Sequence, residues 1–99
     1  MARTSTNRTL RVPERVARLL RSLHPDLRRR VEAALQHVRD EPASGKPLRD
    51  ELAGLRSYRV SRFRIVYREA EDSGLEVVAV GPRETIYEET FRLLHRDRP

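Results

Sequence analysis

Polar and apolar residues alternate through Thr9-Leu10-Arg11-Val12, the period of a short strand, and Pro13 ends it because proline has no N–H to continue a ladder. Val16, Leu19, Leu20 and Leu23 then fall at i, i+3, i+4 and i+7, a single apolar stripe, while Arg15, Arg18 and Arg21 take the exposed side of the same helix. His24-Pro25 interrupts that stripe. Pro25 suits the first position of a second helix, with Asp26 beside its positive end, and Leu27, Val31, Ala34, Leu35 and Val38 repeat the apolar face. Two such helices in succession predict an antiparallel hairpin.

Pro42, Gly45 and Pro47 punctuate the next stretch, EPASGKPLRDELAG, which reads as a connecting loop with a turn of helix at its end. From Leu55 to Arg68 the period changes to two: Tyr58 and Val60, then Phe63, Ile65 and Tyr67, are separated by single polar residues. A two-residue turn at Ser61-Arg62 would pair Val60 with Phe63, Arg59 with Arg64 and Tyr58 with Ile65, although neither turn residue is the usual Gly or Asn. Glu71-Asp72-Ser73-Gly74 is a turn, and LEVVAV is a third strand rich in β-branched residues, closed by Gly81-Pro82. Residues Glu84 to Leu94 predict a short helix with Phe91 and Leu94 packing back.

The fold class is therefore α+β: a short N-terminal strand, a helical hairpin, a three-stranded antiparallel meander joining one small sheet, and a short C-terminal helix. Helices are expected on one sheet face, with the other face open. The 99 residues suit one domain, with residues 1–8 and 95–99 expected as flexible ends. Core and site must then share one scaffold.

Composition narrows the chemistry. With no cysteine there is no disulfide and no thiolate, and His24, His37 and His95 are too dispersed for a metal cluster, so neither a metal nor another cofactor is expected. No apolar run is long enough to cross a bilayer, and MARTSTNRTL lacks the apolar core of a signal peptide, so a cytoplasmic location is expected. A net charge of +6 favours a polyanionic partner. Lys46 is the only lysine among 21 basic residues, which leaves 20 arginines. A GC-rich genome accounts for that bias as well as phosphate recognition does, so position matters more than number.

Position does single out one segment. Arg56, Arg59, Arg62, Arg64 and Arg68 lie within thirteen residues that hold no acid. In the proposed register Arg59 and Arg64 are cross-strand neighbours on the face opposite Tyr58 and Ile65, where like charges destabilise a sheet and an anion between them would relieve it. Isolated exposed arginines are more often solvated or paired with acids such as Glu69 or Glu76. Gly81-Pro82-Arg83 ends the third strand and Tyr87 follows four residues later, placing a guanidinium and a phenol at one sheet rim. A phenolic hydroxyl can donate or accept a proton, whereas Tyr58 and Tyr67 share the expected core face. There is no glycine-rich phosphate loop, no HExxH and no GxSxG.

The strings GKPLRDELAGLRSYRVSRFRIVY and VVAVGPRETIYEE, separated by an acidic turn, resemble the carboxy-terminal half of the RelE/ParE toxin superfamily. The layout is similar over roughly residues 10 to 94, and its specific part runs from Gly45 to Glu88. A strand leading to G-x-R and then a tyrosine resembles the RNA-cleaving RelE branch more than the gyrase-poisoning ParE branch. The resemblance implies a RelE-like fold and the toxin of a type II toxin–antitoxin system. It also implies a metal-independent endoribonuclease that cleaves mRNA in the ribosomal A site and is held by an acidic antitoxin. Matched residue by residue, Arg64 and Arg83 resemble the phosphate-binding arginines, Tyr87 the proton-transfer tyrosine, and Arg59 one of two basic residues on the preceding strand. The other basic position falls at Ser57 or Ser61, so one positive charge of the family pattern is missing. Arg56, Arg62 and Arg68 complete the expected RNA-binding surface. A non-enzymatic gyrase inhibitor and an inactive RNA- or antitoxin-binding member are the competing expectations.

Because no metal-ligand cluster is visible, RNA cleavage by this protein should survive chelation of divalent ions, provided the RNA or ribosome substrate stays intact. Activity abolished by chelator and restored by one specific metal would contradict the expectation.

Overall fold

The computed structural model describes residues 8–96. Along the chain run β1 (Leu10–Arg11), α1 (Glu14–Ser22), α2 (Pro25–Asp40), β2 (Lys46–Pro47), β3 (Arg56–Val60), β4 (Phe63–Glu69), β5 (Leu75–Pro82) and α3 (Ile86–Arg96). The strands form one five-stranded sheet in the order β1-β5-β4-β3-β2. β1 runs parallel to β5, and the remaining pairs are antiparallel. The α+β class, the helical hairpin and the meander are as the periodicities predict.

The β3–β4 register pairs Tyr58 with Ile65, Arg59 with Arg64 and Val60 with Phe63, as the alternation requires. Ser61 supplies the turn's positive φ of 57°, which a non-glycine residue adopts only at a cost, and it does so alone, the pattern of a type II′ turn. Odd and even positions then face different layers. Ile65 and Tyr67 join Val16, Leu20, Val31, Leu35 and Val38 under the helical hairpin, whereas Val66 joins Leu55, Val78, Ala79 and Ile86 under α3. A bulge opposite Val66 and Tyr67 lets consecutive residues Val78 and Ala79 both face α3, while Val77 and Val80 face the hairpin. Arg15 of α1 donates to the Val78 carbonyl at this irregularity.

Two expectations need correction. The second sheet face is not open along its length, because α3 covers it. Phe91 is 40% exposed and does not pack back; Ile86, Leu93 and Leu94, at i, i+7 and i+8, form the inward stripe, and Phe91 lies off that phase, stacked on His95. The segment after α2 also holds more order than a loop: two 3₁₀ turns, Pro42–Ser44 and Asp50–Leu52, and the two-residue strand β2. Of the ends expected to be flexible, residues 1–7 and 97–99 lie outside the described residues. Arg8 donates to the carbonyls of Arg39 and Ser73, and His95 continues α3.

The fully buried Tyr67 explains how a polar loop is tied to the core. Its hydroxyl donates to the Pro42 carbonyl at 2.6 Å and accepts from the Gly45 N–H at 2.9 Å. A Cβ at Gly45 would collide with that hydroxyl, so glycine is required there for close approach rather than for a special φ. Burial raises the Tyr67 phenol above its ordinary value near 10, the Gly45 N–H opposing the shift.

Tyr67→Phe should leave the buried Gly45 N–H and the part-buried Pro42 carbonyl short of a partner and cost about 1–3 kcal/mol in a urea melt. In the wild type, the stabilising contribution of this phenol is constant below pH 10, where the unfolded phenol is still neutral, and declines above it as only the unfolded chain ionises. The Phe variant should lack that alkaline slope, and equal stability of the two proteins at pH 7 would refute the anchoring role.

Candidate functional site: a basic rim beside the β3–β4 hairpin

Tyr87 is the second residue of α3, and Ile86, fully buried before it, fixes the start of that helix on the sheet. Gly81 lies opposite Arg64 across the β4–β5 ladder, and a Cβ there would come within 3.2 Å of Ile86 Cδ1. The bare glycine lets α3 sit down on the sheet next to Arg64. From that seat the half-buried Tyr87 packs against the Leu55, Val66, Val78, Ala79 and Ile86 cluster and points its hydroxyl at β3.

The hydroxyl meets Ser57. Tyr87 Oη donates to Ser57 Oγ at 3.0 Å, and Arg64 Nη1 donates to the same oxygen at 3.1 Å. Ser57 is 2% exposed and lies in the sheet interior, paired with Lys46 on one side and Val66 on the other. Sequence reasoning left the absent basic residue at either Ser57 or Ser61. Ser57 is two residues before Arg59 and so shares its sheet face, whereas Ser61 is spent on the turn. That one serine would join Arg64 to Tyr87 was not readable from the chain, because nothing in a lone Ser on a strand signals two partners thirty and seven residues away.

The predicted arginines divide by partner. Arg59 and Arg64 are cross-strand neighbours as expected, but no anion is needed to separate them: Arg64 turns toward Ser57, and the Nε of exposed Arg59 donates to the Ser61 carbonyl in the turn. Arg62 and Arg83 are exposed at the same end, joined through the backbone, with the Arg83 N–H donating to the Arg62 carbonyl at 2.9 Å. Arg59, Arg62, Arg64, Arg83 and Tyr87 thus belong to one rim around the β3–β4 turn. Arg56 and Arg68 are engaged elsewhere. Arg56 donates to the Gly45 carbonyl at 2.7 Å, beside the Tyr67 anchor, and Arg68 pairs with Glu76 across the ladder at 3.0 Å. Among the described residues no group of three or more His, Asp or Glu side chains is arranged to hold a metal ion.

The arrangement can bind an anion and exchange a proton with it. A guanidinium is always charged and has five N–H donors, so Arg64 keeps several after its bond to Ser57. Arg83 makes no side-chain hydrogen bond or ion pair among the described residues, which leaves its charge for a ligand.

Comparison with known proteins identifies the family. Residues 10–87 match the family described as the ParE toxin of the type II toxin–antitoxin system parDE. The chain is similar to a solved structure of the toxin–antitoxin complex RelBE2 from Mycobacterium tuberculosis, with 34% identity, a TM-score of 0.65, and 77% of this chain and 91% of that chain covered. It shares its fold with a double arginine-to-alanine variant of the E. coli toxin RelE in the free state, at 20% identity and a TM-score of 0.70 over 91% of this chain and 97% of that chain. It also shares it with that variant bound to a peptide of the antitoxin RelBc, at 21% identity and a TM-score of 0.64 over 83% and 92%. No curated protein matches the chain. A family match over most of the chain, together with a toxin relative at 34% identity, establishes that this protein belongs to the RelE/ParE superfamily of toxins from type II toxin–antitoxin systems.

Proposed function

We propose that this toxin is a metal-independent endoribonuclease that cleaves mRNA on the ribosome. The observation that carries the reading is the convergence of Arg64 and Tyr87 on one buried oxygen, with Arg59 and Arg83 exposed at the same rim. RNA brings its own nucleophile. The 2′-hydroxyl attacks the adjacent phosphorus, its proton passing to solvent water, and the bond from phosphorus to the 5′-oxygen breaks as that oxygen takes a proton from Tyr87. The products are a 2′,3′-cyclic phosphate and a 5′-hydroxyl. The protein's tasks are alignment, proton transfer and neutralisation of the charge that grows on the phosphorane. Arg64 and Arg83 suit the phosphate, Tyr87 the proton at the leaving oxygen, and Arg59 the flanking charge. DNA, lacking the 2′-hydroxyl, is not a substrate under this scheme.

A second reading has an observation in its favour. The matching family is that of ParE toxins, and a serine stands where the family pattern has a basic residue. A non-enzymatic toxin that inhibits gyrase would keep this fold without cutting RNA. Induced expression separates the two, since the first stops translation and the second provokes a DNA-damage response.

An acidic antitoxin is the expected partner, by similarity to the M. tuberculosis complex and by charge. Its binding to the rim should weaken as salt rises. A toxin purified from its native operon with no co-eluting partner and no toxicity would remove this expectation.

Division of labour gives the sharpest test. Tyr87→Phe should lower the single-turnover rate on ribosome-bound message by about 10²–10⁴-fold with little change in binding, as loss of proton transfer does. Arg64→Ala and Arg83→Ala should slow cleavage and also weaken RNA binding, each reducing the logarithmic salt slope by roughly 0.7–0.9. A folded Tyr87→Phe protein that cleaves at the wild-type rate would refute the assignment of Tyr87.

A further inference from the structure

We propose that Ser57 is a positioning residue of this site: its hydroxyl holds the Arg64 guanidinium and the Tyr87 phenol on one oxygen and transmits the charge of the first to the second. The proposal rests on the nuclease reading. Three observations carry it. Ser57 Oγ lies 3.1 Å from Arg64 Nη1 and 3.0 Å from Tyr87 Oη, so a single atom touches both groups assigned to chemistry. The side chain is 2% exposed, so water does not compete for those bonds. Its backbone is paired on both sides, to Lys46 and to Val66, so the oxygen is fixed by the sheet rather than by a loop.

The chemistry follows from what each group can do. Arginine only donates, so the serine oxygen must accept from Arg64. That bond draws electron density from the hydroxyl and makes its own proton a stronger donor. Two hydroxyls pair in either sense, because each rotor turns freely. When Ser57 donates to Tyr87 Oη, the phenol proton is released from the sheet and faces the open rim, where the leaving 5′-oxygen needs it. As that proton departs, the negative charge left on Tyr87 is met by a hydroxyl already polarised by Arg64. Arg64 retains its other N–H groups for the phosphate, so the tether does not consume the residue it orders.

Ser57→Ala, Ser57→Cys and Ser57→Thr separate this role from simple packing. Alanine removes the hydrogen bonds, cysteine keeps the volume but bonds weakly, and threonine restores the hydroxyl. Single-turnover cleavage of ribosome-bound message should fall on the order of 10²-fold in the Ala and Cys variants, the scale of a misplaced catalytic group. Affinity for RNA should change by less than about twofold, because the loss belongs to the transition state. Threonine should recover most of the rate. In parallel, the 13Cζ resonance of Tyr87, which reports on bonding at its oxygen, should move in the Ala and Cys variants and return in the Thr variant. The proposal is overturned if the Cys variant, folded by its thermal midpoint, keeps both the wild-type rate and the wild-type resonance. It is also overturned if rate and affinity fall together. A wild-type protein that does not cleave RNA would defeat the nuclease reading, and the resonance then decides the tether alone: a signal unmoved in all three variants disproves it.

Discussion

Everything in this fold hangs on β4 being buried on both faces. β4 lies between β3 and β5 at the centre of the sheet, with Ile65 and Tyr67 under the helical hairpin and Val66 under α3. A slip of one residue would drive Arg64 into the helical core and turn Ile65 to the α3 face, so the register is set by the cost of burying an unpaired charge more than by apolar gain. The same alternation places Arg64 next to Ser57 and opposite Gly81, under the first turn of α3. Core and site are therefore two readings of one strand.

That coupling explains what was legible. The period-two pattern from Tyr58 to Tyr67 determines the hairpin register residue by residue, because both faces discriminate strongly between polar and apolar side chains. The helical hairpin was readable from its stripes for the same reason. β2 was not, since Lys46-Pro47 is exposed and too short to show a period, and the Tyr67 hydroxyl that holds the neighbouring Gly45 lies a long way along the chain. The bulge at Val78 was hidden because LEVVAV is apolar at nearly every position and looks the same in either phase. In α3, Phe91 drew attention by size, yet helical phase rather than size decides which residues turn inward.

The arginines carry a similar lesson about charge. A run of five in thirteen residues looks uniform on paper, but the sheet distributes them among three environments. Arg68 is neutralised by Glu76, Arg56 braces the loop at Gly45, and Arg59, Arg62 and Arg64 gather at the turn, where Arg83 joins them from the turn after β5. Three of the segment's five arginines thus share one turn, although the sequence spaces all five along the segment. Candidate roles for Arg64, Arg83 and Tyr87 came from their resemblance to a known pattern, whereas Ser57 emerged only from distance.

The parallel pairing of β1 with β5 places Leu10 beside Leu75, so nearly the whole domain lies between two strands that touch through only two residue pairs. The β3–β4 and β4–β5 hairpins, by contrast, close short loops and bury most of the sheet. Loop-closure entropy is smaller for the meander than for the distant β1–β5 pairing, so the hairpins cost less to close than the docking of the amino-terminal strand. During synthesis β1 is made before its partner and must wait for β5, so the edge of the sheet formed by β1 closes only after the meander has been made.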